Sequence, residues 1–271
     1  MPKRRILLHP GFHKTGTSSI QHFFWTNREK LAPHVHLFML RHLKPVTQLT
    51  HSYSRSGNPL TLIDLADRLD EVFADTPDDT RDILISCEAL CGHLPGWPKV
   101  KTYQAAPVIL TYIVGYLRDR FDAEAEIVVT TRDAEPWLYS AYRHHLKGQR
   151  LTLAPDAFAT KYAKAADFGP IISAIATQCG PTQSLPLETS SLHPLGPGGA
   201  LLDLFGIPTD GFTPVGKGNE GPSDTLWREF LTLNRSDLTD AALIDAKERL
   251  AKQSNLGGWR KGDVPNPTQL P

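Results

Sequence analysis

The residues with the most chemistry in this chain lie together near its start, in Leu8-His9-Pro10-Gly11-Phe12-His13-Lys14-Thr15-Gly16-Thr17-Ser18-Ser19. A short apolar run precedes them and a helical pattern follows. The backbone amides of Gly16 to Ser19 therefore point at whatever anion sits there, helped by the helix dipole, three hydroxyls and the Lys14 ammonium. Such a loop is a phosphate cradle made of His13, Lys14, Thr15, Gly16, Thr17, Ser18 and Ser19, with His13 orienting the loop or touching the ligand. A Walker A loop needs Gly-x-x-x-x-Gly-Lys-Ser/Thr. Here the lysine precedes the last glycine and no Lys-Ser/Thr pair follows it, which disfavours ATP. The competing reading is a plain glycine turn before a helix, with the hydroxyls as caps and Lys14 in solvent.

The elements that must hold this loop follow from periodicity and punctuation. Arg4 to His9 reads as a strand, and Thr17 to Leu31 as a helix with Ile20, Phe23, Phe24 and Leu31 on one side. Val35 to Leu40 is a second strand, and residues 41–59 read as an irregular surface loop. Leu60 to Phe73 has the spacing of an amphipathic helix whose solvated face carries Asp64, Asp67, Asp70 and Glu71. Ile83 to Ser86 is a compact strand, Gly92 to Pro107 a loop, and Val108 to Phe121 a helix. Glu126 to Thr131 is the clearest strand, followed by a helix from Glu135 to Leu146 with Pro136 at its start. The remainder reads as mostly helical, about 156–164, 168–178, 198–205, 223–234 and 240–253, with one further strand over Ser184 to Leu187. Strands alternating with helices predict an α/β fold, three layers around a central parallel sheet, with ligand atoms at the carboxyl ends of its strands.

At 271 residues, and with no internal repeat or dividing linker, the chain reads as a single domain over 1–271. About 1–150 hold the core with the phosphate cradle, and about 151–271 are mostly helical. The 29 basic side chains balance 29 acidic ones, so no global field favours nucleic acid or an anionic membrane. The first 50 residues nevertheless hold eight Lys or Arg against Glu29 alone. That local surplus suits an anion. Cys87, Cys91 and Cys179 are too few and too unevenly spaced for a disulfide framework or a zinc site, which points to a reducing compartment. No apolar run has the length of a membrane span or of a secretory signal. The expectation is a cytoplasmic protein with no metal.

The order His-Lys-Thr-Gly-Thr-Ser-Ser between strand and helix resembles the 5′-phosphosulfate loop of the sulfotransferase family, whose donor is 3′-phosphoadenosine 5′-phosphosulfate (PAPS). The resemblance implies a P-loop-like fold and a second signature: an Arg closing a strand and a Ser eight residues on, both holding the 3′-phosphate. Arg132 and Ser140 stand at those places. The planar fork of Arg suits phosphate oxygens, and Ser adds a neutral donor. A late Arg-Lys-Gly segment should close over the same phosphate. Lys217-Gly218 and Arg260-Lys261-Gly262 are the two candidates, and the glycine-rich continuation is missing after the second.

The resemblance further implies an in-line displacement at sulfur without a metal. Lys14 neutralises the leaving phosphate and a general base takes the acceptor's proton. Glu88, directly after the strand Ile83 to Ser86, is the leading base; His36 and His34 are its rivals. His144 and His145 read as exposed. Trp137, Tyr139 and Tyr142 follow Arg132 and are read as core aromatics; segments 41–59 and 89–106, with His51, Tyr53, Trp97 and Tyr103, flank the crevice as an acceptor pocket. The resulting expectation is a PAPS-dependent sulfotransferase acting on a hydroxyl or amine of a small-molecule, carbohydrate or lipid acceptor. The alternatives are a kinase or NTPase using Asp133 in the Walker B manner, and a nucleotide- or carbohydrate-binding module without activity.

Overall fold

The computed structural model describes residues 4–216 and 224–253. In chain order the elements are β1 (Ile6–His9), α1 (Thr17–Thr26), α2 (Arg28–Leu31), β2 (Val35–Met39), α3 (Lys44–Ser56), α4 (Leu60–Phe73), β3 (Asp82–Ser86), a 3₁₀ turn (Glu88–Cys91) and α5 (Ala106–Phe121). Then follow β4 (Ala125–Thr131), α6 (Ala134–Gly148), α7 (Pro155–Tyr162), a second 3₁₀ turn (Ala163–Ala165), α8 (Gly169–Cys179), β5 (Thr182–Pro186), α9 (Leu187–Ser190), α10 (Gly196–Leu204), α11 (Asp224–Arg235) and α12 (Asp240–Gln253). The described chain groups into two compact units, residues 4–141 with 159–215 and residues 142–158 with 216 and 224–253.

The first unit is a five-stranded, all-parallel sheet in the order β2-β3-β1-β4-β5. Successive side chains of a strand face opposite sides, so a strand covered on both faces must be apolar throughout. Ile6-Leu7-Leu8 in β1 and Ile83-Leu84-Ile85 in β3 meet that demand and are all buried. Leu7, Leu84, Val128 and Leu185 line one face against Ile20, Phe23 and Phe24 of α1 and Leu201 and Leu202 of α10. The alternate residues face the other layer, to which α5 contributes Ile109, Leu110, Ile113 and Leu117. The three-layer α/β arrangement is the one expected. Because the strand order turns back at β1, whose neighbours are β3 and β4, a crevice opens outside its carboxyl end. The lysine loop begins there.

Three local expectations are corrected. Residues 44–56, read as loop, form α3, opened by Pro45 and closed by Gly57 at φ 64°, whose N–H donates to Tyr53 O at 2.8 Å. Its inner face is Val46, Thr47 and Thr50, two of them hydroxyl residues that a count of apolar positions passes over. The helix expected over Thr17 to Leu31 breaks at Asn27, whose amide nitrogen donates to the carbonyls of Phe23 and Thr213 at 3.0 Å each. The last strand runs from Thr182 rather than Ser184; as an edge strand it buries only Leu185, so its sequence carries little β signal.

In the second unit His145 is fully buried, its Nδ1 paired with the Gln149 side-chain amide at 2.6 Å and its ring 5.8 Å from Phe158. The exposure expected of it is wrong, because the end of α6 turns this face inward; His144 beside it is exposed. Lys247 of α12 is likewise buried and donates to Gln149 O at 2.8 Å, just past the carboxyl end of α6.

Candidate active site

Between β1 and α1 the backbone takes the left-handed region at Gly11 (φ 59°), Lys14 (φ 70°) and Gly16 (φ 93°). Two of these places need glycine for space as well as for φ. A Cβ on Gly11 would stand 2.6 Å from Thr17 Cγ2, and one on Gly16 2.6 Å from Leu187 Cδ1. Lys14 has no such freedom and holds a conformation that costs an ordinary residue about 1–2 kcal/mol. Strain of this kind persists where the surroundings over-determine the backbone.

Those surroundings are visible in the hydrogen bonds. Thr15 Oγ1, buried beneath the loop, donates to Phe12 O at 2.6 Å and shares a 2.7 Å bond with Thr130 Oγ1 of β4. Tyr103 OH accepts from His13 N at 3.1 Å, and the Trp137 indole N–H of α6 donates to His13 O at 2.8 Å. Arg132 Nη1 donates to Lys14 O at 3.3 Å. Cys91 Sγ donates to Gly11 O at 3.0 Å. Contacts from β4, α6, the first 3₁₀ turn and the segment before α5 thus fix the loop on several sides.

Under the loop lies His9, the last residue of β1, fully buried between Ser86 Oγ (2.8 Å from Nδ1) and Thr130 Oγ1 (3.3 Å from Nε2). Burial pushes its pKa down to about 3, so the ring is neutral near pH 7. Its role is to tie β1, β3 and β4 together below the loop. Burial also lowers Arg132, an effect opposed by the nearby Glu188 carboxylate, while Glu188 Oε1 accepts from Asp133 N at 3.0 Å.

Helix α1 starts with Thr17, Ser18 and Ser19 and carries no acid in its first turn. The first amides of a helix have no partner within it, so this end favours an anion. The loop and the start of α1 carry backbone amides, the hydroxyls of Thr17, Ser18 and Ser19, which can donate or accept, and the Lys14 ammonium, while the Thr15 hydroxyl is engaged inside with Phe12 O and Thr130 Oγ1. These groups suit a phosphate or sulfate group, whereas the glycines at Gly11 and Gly16 serve the turn, since the Thr17 methyl and Leu187 already fill the space a Cβ would need. Ser140 lies on α6 three residues after Trp137, and therefore next to it on the helix surface.

Glu88 opens the 3₁₀ turn after β3, beside Gly11, whose hypothetical Cβ comes within 3.6 Å of Glu88 Cβ. Gln21 Nε2 donates to Glu88 Oε2 at 2.7 Å and to Ser86 O at 3.3 Å. The chain therefore puts a carboxylate next to the lysine loop.

His36 is not brought there, which corrects its candidacy as base. It pairs with Ile83 near the amino end of β2, whereas the carboxyl ends meet at Met39, Ser86 and His9. Its Nε2 is 3.0 Å from Asp79 Oδ1, in a cluster with Arg81 and Arg4. Arg81 first, and His36 second, hold the Asp79 carboxyl below its usual range. His34 precedes β2 at the same end. Lys217, Gly218 and Arg260-Lys261-Gly262 lie outside the described residues.

Sequence reasoning missed Gln21 and Thr130, gave Tyr103 only a place in the acceptor-side segments and left Trp137 as core. The first two had a faint signal. Gln21 stands four residues after Thr17 on one helix face, and Thr130 continues the face of Val128 as a hydroxyl in an apolar strand. Nothing in the sequence links Tyr103 to His13.

Among the described residues no helix is long and apolar enough to cross a membrane, and no three His, Cys, Asp or Glu side chains are grouped to hold a metal ion. No protein-family model matches the chain, and no curated protein sequence matches it. Among solved structures the chain is similar to a sulfotransferase from Alicyclobacillus acidocaldarius, at 15% identity over 94% of this chain and 97% of that one, with a TM-score of 0.48.

Proposed function

We propose that the chain is a sulfotransferase that takes the sulfuryl group of PAPS to a hydroxyl or amine of a small-molecule, carbohydrate or lipid acceptor. The observation that carries this reading is the pairing of two anion-binding elements at one sheet position: the Lys14 loop, and the Arg132 guanidinium that donates to Lys14 O at 3.3 Å. A donor with phosphate groups at both its 5′ and 3′ positions calls for two such places. The displaced lysine of the loop and the absence of a following Lys-Ser/Thr pair weigh against an ATP-dependent kinase.

The bound donor supplies an activated sulfuryl group on a phosphate leaving group. Lys14 and the amides at the start of α1 stabilise the negative charge left on that phosphate, a contribution that a rigid donor set makes without reorganising. The over-determined loop backbone provides the rigidity. Arg132 and Ser140 hold the 3′-phosphate, with Arg132 supplying a planar, charge-assisted contact. Glu88 takes the acceptor proton as the acceptor's oxygen or nitrogen bonds to sulfur and the bond from sulfur to the 5′-phosphate oxygen breaks.

The test is transfer from radiolabelled PAPS, without added metal, to a panel of hydroxyl and amine acceptors. Wild type should transfer label, and Lys14→Ala should abolish transfer. A wild-type protein that transfers no sulfuryl group but phosphorylates acceptors from magnesium ATP would replace this reading with the kinase.

A further inference from the structure

We infer that Gln21 is a positioning residue that orients the Glu88 carboxylate for proton abstraction, an inference that rests on the sulfotransferase reading above. Gln21 sits one turn into α1, four residues beyond Thr17, so the helix that presents amides to the donor also carries this side chain. Its Nε2 has two hydrogens and two acceptors. One is the carbonyl of Ser86, the last residue of β3, at 3.3 Å; the other is Glu88 Oε2 at 2.7 Å. The bond to a strand carbonyl fixes the amide plane, and the fixed plane aims the second N–H at the carboxylate.

The chemistry matches the task of a base. An amide N–H can only donate, so it holds Glu88 Oε2 as an acceptor and disfavours a proton on that oxygen. With Oε2 engaged, Oε1 is the oxygen that takes the proton. Gln21 therefore sets which lone pairs of Glu88 face the crevice and couples the base to the same helix that binds the leaving group. Through this residue α1 reaches both ends of the displacement.

The experiment uses the whole protein with PAPS as donor and water as acceptor, reading bisphosphate release, alongside titration with adenosine 3′,5′-bisphosphate. Gln21→Met keeps the length of the side chain and removes the donor. It should lower kcat by about tenfold or more, the worth of one charge-assisted hydrogen bond, and change the bisphosphate Kd by less than about twofold. The double variant Gln21→Met/Glu88→Gln should turn over no more slowly than Glu88→Gln alone, because Gln21 acts only through Glu88. Losses that multiply in the double variant, or a Gln21→Met defect found in Kd rather than kcat, would overturn the inference while the sulfotransferase reading stands. Failure of wild type to bind the bisphosphate would overturn that reading and this inference together. Turnover of wild type no faster than that of Glu88→Gln would remove Glu88 as base and Gln21 with it.

Discussion

Lys14 combines a left-handed backbone with the one ammonium group in the loop, and Arg132 holds its carbonyl from the end of β4. Removing the guanidinium should act on the 3′-phosphate. Arg132→Ala should weaken adenosine 3′,5′-bisphosphate binding by about ten- to a hundredfold while leaving ADP binding nearly unchanged, as charge-assisted contacts of about 1.5–3 kcal/mol imply. Calorimetry on both nucleotides checks this; equal losses for the two would move Arg132 away from the 3′-phosphate. Arg132→Lys should recover only part of the loss, since an ammonium cannot make the planar double contact. Lys14, Glu88 and Arg132 are singled out in the sequence by residue type and by their places after recognisable strands, and the structure puts them beyond the carboxyl ends of β1, β3 and β4. His36 met the first condition only, and the register of β2 places it at the wrong end. Gln21 and Thr130 carried only a faint signal, and Tyr103 was placed in the acceptor-side segments and not against His13, since their partners lie 67, 115 and 90 residues away and only the assembled sheet joins them.

At the scale of elements, the loop works because β1 ends and α1 begins across a turn that only glycine accommodates at Gly16. Gly16→Ala adds a methyl 2.6 Å from Leu187 Cδ1 on a residue at φ 93°. It should cost about 1–2 kcal/mol from the backbone alone, with further loss from the clash, and should weaken bisphosphate binding by tilting the start of α1. Gly16→Ala/Leu187→Ala should regain the part due to the clash and keep the part due to φ. Urea denaturation of the two variants separates these, and full recovery in the double variant would show that φ at Gly16 costs nothing. The strands β1, β3 and β4 were legible because a doubly covered strand is apolar throughout, and α4 because its acids fall on one face. Helix α3 was hidden by composition: Thr47 and Thr50 face inward, and Thr50 satisfies its hydroxyl on Ala89 O at 2.6 Å, so polar residues do the work of a core face. Pro45 and Gly57 were the punctuation that marked its ends.

For the whole molecule, acid should unfold the chain through its buried imidazoles. His9 is lowered to about 3 by burial, and His42 to about 4 by burial and then by Arg41. Unfolded histidines take up a proton near pH 6.5, so the unfolded state binds more protons below that value. Stability is therefore fully present above about pH 6.5 and lost as pH falls toward 4 and 3, at up to about 1.4 kcal/mol per pH unit for each site. Urea midpoints measured from pH 7 to 4 should fall steadily, and His42→Gln should make the fall shallower; a midpoint independent of pH would contradict the burial of these rings. The sheet and the switch at β1 belong to the first unit, and the proposed function requires one site there for both the 5′- and the 3′-phosphate of a nucleotide. The most direct measurement is calorimetric titration of the protein with adenosine 3′,5′-bisphosphate, ADP and ATP, each with and without magnesium. Binding of the bisphosphate should be micromolar and independent of magnesium, as the proposed function requires, with a response to ADP and ATP at least about tenfold weaker, the worth of one charge-assisted phosphate contact. Tight, magnesium-dependent binding of ATP with no preference for the 3′-phosphate would contradict it.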